Sequence, residues 1–216
     1  EGIEFYDNIN FLKAGIVFST KVTTVSKAYA EEIQTDFYGE NLSGIIRKRA
    51  GDLYGIVNGI DFELNDPLTD KRLYAPFSAD NLEGKTINKL RLQKERGLEE
   101  NADIPLIGLI SRLVDQKGLD LVDRMISELL DMNLQLIILG TGDKKYEDLF
   151  RWAQGAYPGK MSANICYDAT LAQRIYAACD MFLMPSLFEP CGLSQIFSMR
   201  YGTVPIVRET GGLRDT

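Results

Sequence analysis

The chain is 216 residues long, 45% hydrophobic and 25% charged, with 24 Lys and Arg against 31 Asp and Glu and a net charge of −7. That length suits one large domain or one domain with part of another, and the acidic balance argues against a nucleic-acid or anionic-membrane surface, both of which need a basic field. No apolar run reaches the roughly 20 residues of a membrane span, and the start Glu1-Gly2-Ile3-Glu4-Phe5 lacks the order of a signal peptide.

The first segment places Ile9, Leu12 and Ile16 on one helical face. Lys21-Val22-Thr23-Thr24-Val25 follows as a β-branched strand, and Ser26 caps a helix through Ile33. After the basic turn Arg47-Lys48-Arg49-Ala50-Gly51, the run Leu53–Val57 leads into Asn58-Gly59, a turn signal where a domain junction is expected. Residues 61–103 are polar and broken at Asp66-Pro67 and Ala75-Pro76, so they read as a connector with a charged surface helix around Thr86 to Arg96.

From Ile104 strands and helices alternate. Strands are expected at Ile104–Ile110, Leu134–Leu139, Ala163–Tyr167, Met181–Met184 and Val204–Val207. Helices are expected from Leu119, from Tyr146 to Ala153, from Leu171 to Ala178 and from Gly192. Five strands interleaved with helices predict an α/β protein with a doubly wound parallel sheet. The domains expected are 1–57, the end of a preceding α/β unit; 58–103, junction and surface helix; and 104–216, an incomplete Rossmann-like parallel-sheet domain. The chain stops at Thr216 just after Gly211-Gly212-Leu213-Arg214-Asp215, which leads to the expectation of a fragment.

Histidine is absent, so chemistry within this chain runs on carboxylates, cations and backbone dipoles. Cys166, Cys179 and Cys191 are odd in number and lack metal-ligand spacing, which argues against a disulfide framework or zinc site and for a reducing, cytoplasmic setting. The most informative stretch is Ser111-Arg112-Leu113-Val114-Asp115-Gln116-Lys117-Gly118. Two cations leave an apolar strand and stop at a glycine that opens a helix, where an open α/β sheet holds its ligands.

Gly140-Thr141-Gly142 lacks the third glycine of a dinucleotide fingerprint, because Lys145 stands there; Gly140 is a tight turn or a ligand neighbour. In Phe188-Glu189-Pro190-Cys191-Gly192-Leu193-Ser194 a carboxylate precedes a helix start, whose N–H groups and dipole attract phosphate. Glu189 is there either a surface loop residue or the partner of a sugar hydroxyl, and Cys191 either a small apolar filler or a nucleophile. Thr210-Gly211-Gly212 is an ordinary loop or a further backbone element at the same sheet edge. Tyr167, at the end of the third strand, either packs or stacks on a planar base.

In this order, Asn10–Gly15, Thr24-Val25-Ser26, Val57–Asp61, Ser111–Gly118, Phe188–Leu193 and Thr210–Thr216 closely resemble the bacterial glycogen synthase and plant starch synthase family. The resemblance implies a GT-B-type glycosyltransferase with two Rossmann-like domains. It implies transfer of glucose from ADP-glucose to the non-reducing end of an α-1,4-glucan, with retention and with no metal or cofactor. The setting implied is cytoplasmic in a bacterium, or a plastid in a plant. The resemblance carries over Arg112 and Lys117 as the cations on the diphosphate and Glu189 as the carboxylate facing glucose. Cys191, Gly192, Leu193 and Ser194 surround glucose and phosphate, Tyr167 meets the adenine, and Asn58 lies near the donor sugar. Some relatives have a second glutamate where this chain has Phe197, which is expected to pack inward. The fragment is expected to be inactive alone. Rival readings are another retaining glycosyltransferase that uses UDP-glucose and a noncatalytic nucleotide-sugar or glucan-binding module.

Overall fold

Side chains that alternate across a pleated strand can serve two cores at once, and this organises the fold. The computed structural model describes residues 2–216, and the chain divides into two compact units. Gly59 and everything before it, with Phe188–Gly192 and Glu209–Thr216, form the first; Ile60–Leu187 and Leu193–Arg208 form the second.

The first unit opens with a short antiparallel pair, β1 (Glu4–Phe5) and β2 (Asn8–Ile9), so Ile9 belongs to a strand. Helix α1 (Phe11–Phe18) follows, capped by Asn10. Strand β3 (Val22–Thr24) leads to Ser26, whose Oγ accepts from the Tyr29 N–H at 3.0 Å and starts α2 (Lys27–Glu32). Of the expected basic turn, Arg47 and Lys48 end α3 (Ser43–Lys48), and a 3₁₀ turn follows at Ala50–Asp52. Arg49 between them donates to the carbonyls of Ile16 at 2.7 Å, Val17 at 3.0 Å and Ser19 at 2.7 Å, satisfying the open C-terminus of α1. Strand β4 (Leu53–Gly55) pairs parallel with β3 and ends two residues before Val57. A Cβ on Gly55 would lie 2.1 Å from the Ser26 carbonyl oxygen, so only glycine fits there.

The second unit begins its regular structure at α4 (Glu83–Glu95), and then alternates β5 (Leu106–Ile110), α5 (Leu119–Asp131), β6 (Gln135–Leu139), α6 (Lys144–Ala156), β7 (Met161–Asn164), α7 (Ala169–Ala178), β8 (Met181–Met184), α8 (Leu193–Arg200) and β9 (Val204–Val207). The last helix, α9 (Gly211–Asp215), returns to the first unit, where a loop was expected. The five strands form one parallel sheet in the order β7-β6-β5-β8-β9, so the predicted sheet is present. Its order reverses between β5 and β8, where crossovers to opposite sides leave a crevice at the strands' carboxyl ends.

On β5 and β6, Ile107, Leu109, Leu136 and Ile138 face a core with Leu119, Val122, Ile126 and Leu130 of α5 and Phe150 of α6. Their alternates Leu106, Ile137 and Leu139 face Leu92 of α4 and Leu171 and Ile175 of α7.

Helix α4 corrects the sequence reading of a surface helix. Gly84, Asn88, Lys89, Leu92 and Gln93 are buried. Its inner face is polar but paired, which hides it from a hydrophobic pattern. Asn88 bonds the Tyr74 N–H at 2.9 Å and the Ala75 carbonyl at 2.7 Å, and Gln93 donates to Gln135 Oε1 at 2.8 Å. The Lys89 ammonium reaches Asp180 Oδ2 at 2.8 Å, an oxygen that also takes the Leu106 N–H at 2.7 Å. Buried polar groups cost little when their partners are built in.

Lys85 completes this face. Its ammonium donates to the carbonyls of Ala177 at 3.1 Å and Tyr201 at 3.0 Å and to Thr203 Oγ1 at 2.9 Å. Burial pushes its pKa down to about 8, below the ordinary 10.5. Between those values the unfolded chain binds a proton that the folded one does not, so this group makes stability rise with pH across that window and contributes no slope below it. Urea unfolding of the native chain and Lys85→Met between pH 7.5 and pH 10 is expected to show the native slope exceeding the variant's, by up to about 1.4 kcal/mol per pH unit. Equal slopes would rule out the buried amine as the linked group.

Candidate active site

In the second unit the segment after β5 is held at both ends. Leu113 is fully buried, its N–H donates to the Thr141 carbonyl at 2.9 Å, and its carbonyl accepts from the Asp143 N–H at 2.7 Å. The loops after β5 and β6 thus run together, and a Cβ on Gly140 would lie 1.9 Å from the Ser111 carbonyl oxygen. Gly140 is therefore a point of close backbone approach.

Residues Asp115–Lys117 form one 3₁₀ turn closed by Gly118 at φ +67°. Asp115 Oδ1 accepts from Lys145 Nζ at 2.6 Å and Tyr146 Oη at 2.5 Å, and the Lys145 bond foremost holds this carboxyl below its usual range. The Gln116 carbonyl accepts from the Leu187 N–H at 2.9 Å, tying this turn to the segment after β8. As a result Arg112, Lys117 and Ser194 line one cavity of about 170 Å³ with Pro185 and Ser186, at the carboxyl ends of β5 and β8. Arg112 is exposed and donates to Gln116 Oε1 at 3.2 Å.

A larger cavity of about 410 Å³ adjoins it and shares Arg112 and Ser194. Gly140, Thr141, Tyr167, Gln173, Tyr176 and Phe197 also line it. Strand β7 ends at Asn164, so Tyr167 does not close the strand as expected; it stands three residues beyond, 92% exposed, with its ring at the cavity rim. Phe197 is half-buried and sits 5.9 Å from the Tyr176 ring. Burial pushes the Tyr176 phenol up to about 12, against the opposing hydrogen bond with Ser194. Asp168 caps α7 by accepting the Leu171 N–H at 2.9 Å.

Glu189, Cys191 and Gly192 belong to the first unit, with Thr210, Gly211 and Gly212. The Gly212 N–H donates to the Glu189 carbonyl at 2.8 Å, and Glu32 Oε1 accepts from Thr210 Oγ1 at 2.9 Å and the Gly211 N–H at 2.8 Å. A Cβ on Gly211 would fall 2.2 Å from the Glu189 carbonyl oxygen, and one on Gly212 2.1 Å from that of Cys191. The two glycines thus hold the 189–191 backbone at contact distance, and both their N–H groups are engaged. Cys191 is buried, Leu193 opens α8 exposed, and Asn58 is exposed.

Sequence reasoning passed over Thr141, Gln173 and Tyr176. A signal existed for Gln173: it is three residues before Tyr176 and four before Ala177, both buried on the same helical face. Among the described residues no helix is long and apolar enough to cross a membrane. No group of three or more His, Cys, Asp or Glu among them could hold a metal ion.

Residues 91–216 match the family model described as glycosyl transferases group 1, and residues 1–48 match the starch synthase catalytic domain. The chain belongs to the group 1 glycosyltransferases. It is 57% identical over all 216 residues to a glycogen synthase of Pseudothermotoga lettingae, covering 44% of that protein. It is 56% identical over 213 residues to one of Clostridium novyi, covering 99% of this chain and 44% of that protein. The chain thus spans less than half the length of the relatives it matches. The catalytic domain of Starch Synthase IV from Arabidopsis thaliana, bound to ADP and acarbose, superposes with a TM-score of 0.90 at 40% identity, over 97% of this chain and 43% of that one. Anabaena Alr3699/HepE in complex with UDP and glucose shares the fold at a TM-score of 0.60 and 19% identity, over 93% of this chain and 47% of that one. The GT-B fold and the glycogen and starch synthase resemblance read from the sequence are both borne out.

Two glycines of this group 1 glycosyltransferase separate close approach from mere permissiveness. A Cβ on Gly118 would meet the Pro185 carbonyl oxygen at 2.0 Å, whereas one on Gly155 in α6 meets nothing within 4 Å. Gly118→Ala is expected to cost at least about 1–2 kcal/mol from its left-handed backbone alone. Gly155→Ala is expected to stabilise by about 0.5–1 kcal/mol. Thermal melts of the two variants check this, and opposite or equal shifts would contradict the packing described.

Proposed function

We propose that the protein is a glycogen or starch synthase, transferring glucose from ADP-glucose to the non-reducing end of an α-1,4-glucan with retention of configuration. The carrying observation is the convergence of Arg112, Lys117 and Ser194 on one cavity where the sheet order reverses. The 57% identity to glycogen synthases and the match to a starch synthase bound to ADP support this substrate class.

As the bond between glucose and diphosphate breaks, negative charge grows on the phosphate oxygens and positive charge on the sugar ring. Groups that are already oriented stabilise such a transition state without reorganising. In this reading Arg112 grips the diphosphate with its planar fork and Lys117 meets it as a point charge. The N-terminal end of α8, with Leu193 and Ser194, adds the positive end of a helix dipole. Glu189 faces the glucose, with Asn58 nearby, and Tyr167 covers the base. Cys191 and Gly192 shape the approach to α8, where Gly192 takes φ +83°. Thr210, Gly211 and Gly212 brace Glu189 through the contacts described. In this reading the departing phosphate takes the acceptor's proton. The reading assigns the diphosphate charge to protein cations alone, with no metal or cofactor, and keeps the cytoplasmic setting.

Removing one such donor costs about 3–4 kcal/mol of transition-state stabilisation. Lys117→Ala in the complete enzyme is therefore expected to lower kcat by roughly two to three decades. An unchanged kcat would remove Lys117 from the machinery. Calorimetric titration with ADP and UDP tests the donor: ADP is expected to bind more tightly, and a preference for UDP would turn the reading to a UDP-glucose transferase of the same fold.

A further inference from the structure

We infer that Gln173 reads the nucleotide base, its amide pairing with the edge of adenine inside the larger cavity. The inference rests on the ADP-glucose reading above and assigns a specificity role to a residue outside the diphosphate machinery.

Gln173 is 8% exposed and lines the cavity of about 410 Å³, yet among the described residues no protein group pairs with its buried Oε1. Asn88 is fully buried and holds the Tyr74 N–H, the Ala75 carbonyl and the Gly84 carbonyl; Gln93 and Gln135, equally buried, bond each other and nearby backbone. A buried amide oxygen without a donor costs about 1–3 kcal/mol. Such exceptions call for an explanation, and a ligand that brings the donor is one.

The walls specify what that ligand is. Ile110, Leu139, Ala172 and Phe197 are apolar, and Tyr167 offers an exposed ring at the mouth. This suits a flat, weakly polar heterocycle. Two polar neighbours are already committed, Asp168 to the α7 cap and Arg112 to Gln116 beside the phosphate cavity. Among the described residues lining this cavity, Gln173 alone carries a buried side-chain oxygen without a protein partner, and the base edge is assigned to it. A carboxamide presents one acceptor and one donor side by side, the complement of adenine's N6 amino group and N7. Guanine presents two acceptors there, O6 and N7, and sets O6 against Oε1. A uracil on the same ribose is one ring shorter and stops short of the amide.

Nucleotide affinity of the complete enzyme decides the matter, measured by calorimetry with ADP, GDP, UDP and 7-deaza-ADP, which lacks the N7 acceptor. Gln173→Leu is expected to weaken ADP roughly 5- to 150-fold. GDP and UDP are expected to stay within a few-fold and the melting temperature not to fall, because the variant buries no unpaired oxygen. Native protein is expected to bind 7-deaza-ADP more weakly than ADP, and that gap to close in the variant. Parallel weakening of all nucleotides with a lowered melting temperature would make Gln173 a packing residue and overturn the inference. An unchanged ADP preference in the variant would overturn it too. Should Gln173→Leu fail to fold, the native protein decides alone: equal affinity for ADP and 7-deaza-ADP sinks the assignment. A native protein that prefers UDP to ADP would instead sink the donor reading beneath it.

Discussion

Backbone meeting backbone with no side chain between is the constraint on which the cation site rests. Gly118, a Cβ's width from the Pro185 carbonyl, and the bond from the Leu187 N–H to the Gln116 carbonyl fuse the segment after β5 to the segment after β8. A loop bearing two long cations would otherwise sample many positions, since each flexible side chain loses up to about 2 kcal/mol of rotamer freedom when fixed. With the backbone already fixed, that loss is confined to the side chains. Arg112, Lys117 and Ser194 then face a common volume because β5 and β8 are neighbours in the sheet although two strands separate them in sequence.

The first unit uses the same device to a different end. Gly211 and Gly212 press against the carbonyls of Glu189 and Cys191, while Glu32 caps the start of α9. Asp215 Oδ2 accepts the Ala28 N–H at 2.8 Å, so α2 and α9 hold each other at both ends. Glu189 is thereby anchored through its main chain, which leaves the orientation of its carboxylate to its side chain.

The sheet was legible because strands buried on both faces are continuous apolar runs, and Leu106–Ile110 and Gln135–Leu139 nearly are. The Arg112–Gly118 stretch was legible because glycine and charge punctuate the end of such a run. What escaped did so for identifiable reasons. Helix α4 buries Asn88, Lys89 and Gln93, whose partners include Ala75, Asp180 and Gln135, 13, 91 and 42 residues away in sequence, so no local pattern marks the face as internal. The third strand was placed late because Met161 and Ser162 are buried without a run of β-branched residues, which moved Tyr167 from a strand end to a rim. Helix α9 is only five residues long and starts on two glycines, against every propensity; tertiary contacts with α2 and Glu189 impose it. Gln173 was hidden because the meaning of a buried amide depends on what faces it.

An acidic chain can meet a dianionic phosphate only if its carboxylates are kept from the cations that must act. Around the loop after β5, three acids are paired elsewhere. Asp115 is engaged by Lys145 and Tyr146, Glu147 by the Gly142 N–H and Arg151, and Asp148 by Lys144 at 2.5 Å. Exposed ion pairs of this kind add little to stability, so their consequence is the local field. Arg112 donates to the neutral amide of Gln116 and so keeps its charge uncancelled at that contact. Within a Debye length of roughly 8–10 Å, these near charges count for more than the −7 of the whole chain. Net charge weighs against an extended anionic partner and says nothing against a small one, which would meet only a handful of residues at the end of one strand.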